Sequence, residues 1–215
     1  MRVDFHNHTH YSPDSLTSAS ELLKAARRAG LDKIAVTDHN SIGGALEAYS
    51  LAPDLVIVGE EVLTTKGEIL ALFVKEFVPP RLSPSETIRR LREQDAFISI
   101  SHPFDPFRSG WSLQDLEEMV PDLDAVEVFN SRCFTRRMNE QAAHFARQHG
   151  LAGTAGSDAH WPMEVGNGFL TLPPFSSAAG LRSVIRQANV HGKRSCAWLR
   201  FLSLYVHIRK KFGWG

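Results

Sequence analysis

The chain is short of cysteine, of long apolar runs and of net charge, and each shortage excludes something. Cys133 and Cys196 are the two cysteines among 215 residues and form no CxxC pair. A disulfide framework is therefore excluded, and a reducing compartment is expected. No apolar stretch approaches the roughly 20 residues that cross a bilayer. The N-terminus lacks the basic-then-apolar layout of a signal peptide, so the expected location is cytoplasmic. Lys plus Arg and Asp plus Glu both number 24, giving a formal net charge of zero. No global field then draws the chain to nucleic acid or to an anionic membrane. A nucleic-acid partner is not indicated, although the chemistry below leaves it possible, and the oligomeric state is left open. With 43% apolar and 22% charged residues, the composition is that of an ordinary soluble domain long enough for a full core.

Strand-length apolar runs cover residues 3–6, 33–37, 55–58, 69–74, 96–100 and 125–129, with weaker ones at 152–155 and 168–172. Amphipathic stretches separate them, the rhythm of an α/β fold. Ser18 and Glu21 form a capping box ahead of Leu22, Leu23, Ala26 and Ala29, and Gly30 closes that helix. Ser83, Pro84 and Glu86 open a second helix, and residues 135–149 form a third that ends at Gly150. One compact domain is expected over residues 1–192. Residues 193–215 form a basic, amphipathic tail that is expected to pack on that domain, although such a helix also suits a membrane surface or a partner.

The polar residues gather where the strands end. His6 and His8 follow the first run on one face of a strand. Asp38 and His39 follow the second, Glu60 and Glu61 the third, His102 the run at 96–100, and Asp158 and His160 the run at 152–155. In a barrel of parallel strands these ends share one face, where loops build the active site. Mixed imidazole and carboxylate ligands without cysteine suit Mn, Zn or Fe and argue against a structural zinc site. The set is too large for one tetrahedral ion, so at least two divalent ions are expected. Arg108 and Arg132 lie in loops near this mouth and are candidate phosphate contacts, because the guanidinium fork matches phosphate oxygens. Asn130 is a further candidate, although capping of the following helix accounts for it equally. His10 is undecided, and Asp38 reads as a partner of a ligand rather than a base.

The spaced motifs HNH, TDH, GEE, SHP and GSDAH, running from His6 to His160, resemble those of the PHP superfamily, named for polymerase and histidinol phosphatase domains. The resemblance implies a distorted (β/α)7 TIM-like barrel with two or three divalent metal ions at the C-terminal ends of its strands. It implies that His6, His8, Glu61 and Asp158 hold one ion, that Glu61 bridges to a second with His102, and that Asp14, His39 and His160 hold a third. Glu61 is preferred to Glu60, which strand alternation turns to the opposite face. Many relatives place a histidine on the next strand where this chain has Leu70, which leaves the second ion short of a protein ligand. Some have a histidine where this chain has Asp14.

The implied activity is hydrolysis of a small phosphate ester, as phosphatase or phosphodiesterase, by attack of a metal-bound hydroxide on phosphorus. His102, His160 and Asp158 form the expected catalytic set, with His102 or His160 protonating the leaving alkoxide. Two alternatives stand beside it: an amidohydrolase-type C–N hydrolase, and a non-catalytic metal-binding regulatory module.

Overall fold

The computed structural model describes residues 1–108 and 110–213. The strand runs read from the sequence become β1 (Arg2–Asp4), β2 (Lys33–Val36), β3 (Val56–Leu63), β4 (Glu68–Leu72), β5 (Phe97–Ile100), β6 (Ala125–Asn130), β7 (Ala152–Gly156) and β8 (Gly168–Thr171). A ninth strand, β9 (Asn189–Gly192), has every residue exposed. The sheet order is β7-β6-β5-β4-β3-β2-β1-β8-β9.

The first seven strands curl until the segments that follow β1 and β7 meet. Phe5 N donates to Ala155 O at 3.2 Å, Asp158 N to His6 O at 2.7 Å and His8 N to Ala159 O at 2.9 Å. The result is the distorted barrel expected. It is not wholly parallel, however: β4 runs antiparallel to both β3 and β5. The cause is local. A tight turn joins β3 to β4, with Thr64 Oγ1 donating to Gly67 O at 2.7 Å, and so short a connection cannot return a parallel strand. A side chain at Gly67 would run into the Trp111 ring. The reversal places the start of β4 at the same end as the C-termini of the other six strands.

Seven helices surround the sheet among the described residues: α1 (Ala19–Arg28), α2 (Gly43–Leu51), α3 (Pro84–Glu93), α4 (Leu113–Met119), α5 (Arg136–Gln148), α6 (Ala178–Val184) and α7 (Trp198–Lys211). The capping box at Ser18 and the Ser83 cap form as expected. Helices α2, α4 and α6 carry little advance signal. The last two have seven residues each, and α2 opens on Gly43 and Gly44 with no capping side chain. Gly44 is there for proximity, since a methyl group on it would overlap Thr9 and Asp38.

One apolar cluster draws Val3, Ile57, Leu72, Phe97 and Ala125 from five strands, Phe5 from just past β1, and Phe175, Leu181 and Ile185 from in and around α6. The rings of Phe5 and Phe175 stack with centroids 6.3 Å apart. Two further clusters fill the layers between sheet and helices, one under α1 and α2 and one under α3, α4 and α5. The interior is therefore packed mostly with hydrocarbon, with a buried Ser99–Thr154 hydroxyl pair at 3.0 Å bridging β5 and β7.

The tail packs on the barrel through α7. Leu199, Ser203 and Val206 of α7 are buried. Arg132 Nη2 donates to Ser203 Oγ at 3.0 Å. Lys210 Nζ donates to the carbonyls of His10, Ser12 and Ser15, each at 2.7 Å. Leu181→Ala, at a fully buried position, is expected to cost about 2–5 kcal/mol of unfolding free energy. Denaturant titration with unchanged slope measures it, and a loss under about 1 kcal/mol would show that α6 is not part of the barrel core.

Candidate metal centre

The strand ends bring eight expected side chains into one mouth. Around Glu61, Oε2 is 3.3 Å from His6 Nε2, 3.5 Å from His8 Nε2 and 3.0 Å from His39 Nδ1, while Oε1 is 3.0 Å from His102 Nε2. Asp158 Oδ1 lies 3.3 Å from His8 Nε2 and 3.8 Å from His6 Nε2. Asp14 reaches back from the loop before α1, with Oδ2 2.9 Å from His160 Nε2 and Oδ1 3.7 Å from His39 Nε2. His10 is exposed and stays outside. Glu60 turns away from this set, is buried, and accepts from Val78 N at 3.1 Å; burial pushes its carboxyl up to about 8.

Glu68 completes the mouth and was not among the expected ligands. It opens β4, and its carboxylate lies 3.6 Å from both His39 Nδ1 and His102 Nε2. Leu70 pairs in register with Glu61 and is fully buried, so the position opposite the central glutamate carries hydrocarbon. The carboxylate two residues earlier reaches the site instead. Its signal in the sequence was an acidic residue at the start of an apolar run. That signal acquires meaning only once β4 is known to run backwards.

A second ring of groups fixes how the imidazoles point. His6 Nδ1 donates to Glu127 Oε1 at 2.9 Å, His8 Nδ1 to Ser12 Oγ at 3.0 Å and His160 Nδ1 to the Asp158 carbonyl at 2.9 Å. Ser12 Oγ spends its own hydrogen on Asp38 Oδ1 at 2.7 Å, so it accepts from His8. Asp38 is thus a partner of the ligand shell, held as well by Thr9 N and Oγ1. In all three histidines Nδ1 carries the proton, which leaves the Nε2 lone pair free to bind an ion. Glu127 also accepts from His102 N at 2.8 Å and from Asn130 Nδ2 at 3.0 Å. Like Glu68, it was missed as a site residue.

The remaining polar atoms decide whether these residues fit a metal. His6 Nε2, His8 Nε2, Glu61 Oε2, Asp14 Oδ1, Asp158 Oδ1 and His160 Nε2 are all buried without a hydrogen-bond partner. Several lie within 3.5 Å of one another yet are misaimed for hydrogen bonds, as donors directed at shared points between them would be. Leaving so many buried groups unsatisfied is costly, and a cation satisfies them together. Four overlapping triads can each hold an ion: His8, His39 and His160; His6, His8 and Asp158; His6, Glu61 and His102; His39, Glu61 and Glu68.

The electrostatics match this crowding. Burial lowers the pKa of His6, but Glu61, Glu127 and Asp158 more than offset it and hold the ring well above its ordinary value. His8, also buried, is pushed well below by that burial and by His160 and His39. Burial raises Asp158, yet Arg108 and then His6 bring it well below the usual carboxylate range. His102 and Asp158 also sit at positive φ, 28° and 53°. Such backbone is sparsely populated away from glycine and gathers at functional sites.

The three expected substrate contacts take different places. Arg108 Nη1 is 2.6 Å from Asp158 Oδ2, and the side chain lines the cavity above the cluster. Arg132 is buried and holds α7 through Ser203 and the Leu199 carbonyl, with one edge on the cavity. Asn130 is fully buried, donating to Glu127 and Asp158 and accepting from Arg132 N at 2.8 Å. It braces the ligand shell, while Thr135, not Asn130, precedes α5. The cavity encloses about 370 Å³; Asp14, His39 and Glu68 form its metal-facing side, and Arg200 and His207 of α7 form part of its wall. Glu127→Gln should keep the fold and weaken metal affinity about 10–100-fold, because it removes the charge that orients His6. Calorimetric titration with Mn²⁺ reads this, and an unchanged affinity would rule out that role.

Sequence comparison agrees with this architecture. A family model described as the PHP domain matches residues 4–87, and one described as PHP-associated matches residues 136–190. An uncharacterized protein of Methanocaldococcus jannaschii is 39% identical over 146 residues, covering 61% of this chain and 82% of its own. Among solved structures, a Bifidobacterium adolescentis protein provisionally named a metal-dependent phosphoesterase superposes with a TM-score of 0.62 at 20% identity, over 74% of this chain and 88% of that one. The lesion-specific endonuclease EndoQ of Pyrococcus furiosus superposes at 0.64 and 19% identity, over 88% of this chain and 58% of that one. At these identities the structural likeness is one of fold. The sequence matches carry the assignment, and they make this chain a member of the PHP family.

Proposed function

We propose that the chain is a metal-dependent phosphoesterase acting on a small phosphate ester. One observation carries the reading: six partnerless buried donor atoms converge beneath a cavity whose wall supplies Arg108, Arg200 and His207. Two or three divalent ions held there, Mn, Zn or Fe by donor type, would supply a water of low pKa and positive charge for the phosphoryl oxygens. His6, His8, Glu61 and Asp158 would hold one ion, and Glu61 and His102 a second. Asp14, His39 and His160 would hold a third, and Glu68 would offer the second a carboxylate in place of the histidine found in many relatives.

The chain's own residues account for the rest. Arg108 uses one nitrogen on Asp158, and a guanidinium keeps further N–H groups for phosphate oxygens. This arrangement lets the ester's charge settle beside the ligand carboxylate without direct repulsion. His102 or His160 would pass a proton to the leaving oxygen only while its ring is not committed to an ion. The apolar packing beneath the mouth keeps bulk water from the far side, which strengthens every charge interaction in it. A single small ester suits a cavity near the lower end of the size range for small-molecule sites. The amidohydrolase and regulatory-module readings are rivals that the same assay separates.

Protein stripped of metal and then reloaded with Mn²⁺ or Zn²⁺ is to be assayed on a panel of phosphorylated metabolites, with amide, lactone and oligonucleotide substrates in parallel. Phosphate release is expected only in the loaded state and is expected to vanish in Glu61→Gln. Full activity in exhaustively demetallated protein would refute the metal-dependent reading. Turnover confined to amides or lactones would favour the C–N hydrolase, and tight metal binding with no turnover would favour the regulatory module.

A further inference from the structure

Helix α7 is apolar on two faces. Leu199 and Val206 turn inward and are buried, while Trp198, Phe201, Leu204, Tyr205 and Ile208 are 43–67% exposed. At 3.6 residues per turn those five positions fall within one arc of about 120° on the outer side of the helix. A surface helix ordinarily carries one apolar stripe toward the core and polar residues opposite. Single exposed apolar residues need no explanation, whereas a contiguous stripe marks a contact surface.

Within the tail segment itself the charges are of one sign. Residues 193–215 hold six Lys and Arg and no Asp or Glu, so in this neutral chain residues 1–192 carry 24 acidic and 18 basic side chains. By the same helical geometry Lys211 lies along one edge of the stripe, as does Arg200, whose guanidinium stacks over the Phe134 ring at 3.8 Å and also lines the cavity. Lys210 points the other way and ties the end of α7 to three carbonyls of the first loop. With Arg132 holding the first half of the helix through Ser203, the outer face is presented already ordered.

We propose that this outer face of α7 docks on an anionic lipid surface. Aromatic and aliphatic side chains flanked by cations, with no acidic residue, are the composition of a helix lying in the interfacial plane. At 14 residues α7 lies along such a surface rather than crossing it. A second copy of the chain fits less well, because a twofold pairing would bring rows of cations together. Phe201 and Leu204 also line the cavity over the metal centre, so docking sets the cavity mouth at the lipid–water boundary. The proposal does not rest on the catalytic reading, since binding is measured without turnover.

The full chain is to be co-sedimented with phosphatidylcholine vesicles and with vesicles containing about 30% phosphatidylserine. Binding to the anionic vesicles alone is expected, falling as salt is raised. Lys211→Glu should weaken it about tenfold, and the double variant Tyr205→Ser, Ile208→Ser should abolish it, both with an unchanged melting temperature. No partition onto anionic vesicles, or equal partition onto both kinds, would overturn the proposal. So would a dimer in sedimentation velocity that the double variant dissociates, since a second copy would then cover the face.

Discussion

The carboxylate of Glu61 stands among four imidazoles, 3.0–3.5 Å from nitrogens of His6, His8, His39 and His102. It is fully buried, as are His6 and His8. Burying so many polar donors without partners is among the least favourable things a protein interior can do. The arrangement makes sense when positive charge is shared among them. Much of the surrounding structure supports that one constraint: Glu127, Ser12, Asp38 and Asn130 each use their hydrogen bonds to aim or steady a ligand.

The barrel supplies the precision. Six strands deliver their C-terminal ends to the mouth, and the reversed β4 delivers its N-terminal end, so Glu68 joins from the opposite chain direction. Hydrocarbon from α6 and the strands fills the interior beneath. Glu61 and Glu68 lie within β3 and β4, while His6, His8, His39, His102, Asp158 and His160 follow within four residues of a strand end, so strand register and packing set most of these positions. Asp14 lies furthest from a strand end, on the loop before α1. That loop is braced by Asp38 through Ser12 and Thr9 and by the ammonium of Lys210, so the far end of the chain helps to fix a candidate ligand near its beginning.

Much of this was legible in the residues. The eight strands expected from apolar runs all form, seven with ends shifted by at most two residues and β3 running five residues further, because strand existence follows from local hydrophobic pattern while strand ends depend on neighbours. The gathering of His6, His8, His39, Glu61, His102, Asp158 and His160 was visible as polar residues recurring just past those runs. Glu68 and Glu127 were not legible as site residues. One depends on a strand running backwards, and the other sits inside an apolar run where a buried carboxylate carries no local mark. Arg132 and Asn130 lie near the mouth, but Ser203, the Leu199 carbonyl and Asp158, which help to occupy them, lie on other elements.

The sequence by itself determined most of the donor chemistry and the α/β rhythm that brings strand ends together, because residue type and period are local properties. Only the tertiary structure decided which atoms face one another, that a glutamate on an antiparallel strand stands near the place left by Leu70, and that the tail helix forms a wall of the cavity. Those outcomes depend on strand direction and on packing between residues up to about 200 positions apart, and no local pattern encodes distance across a fold.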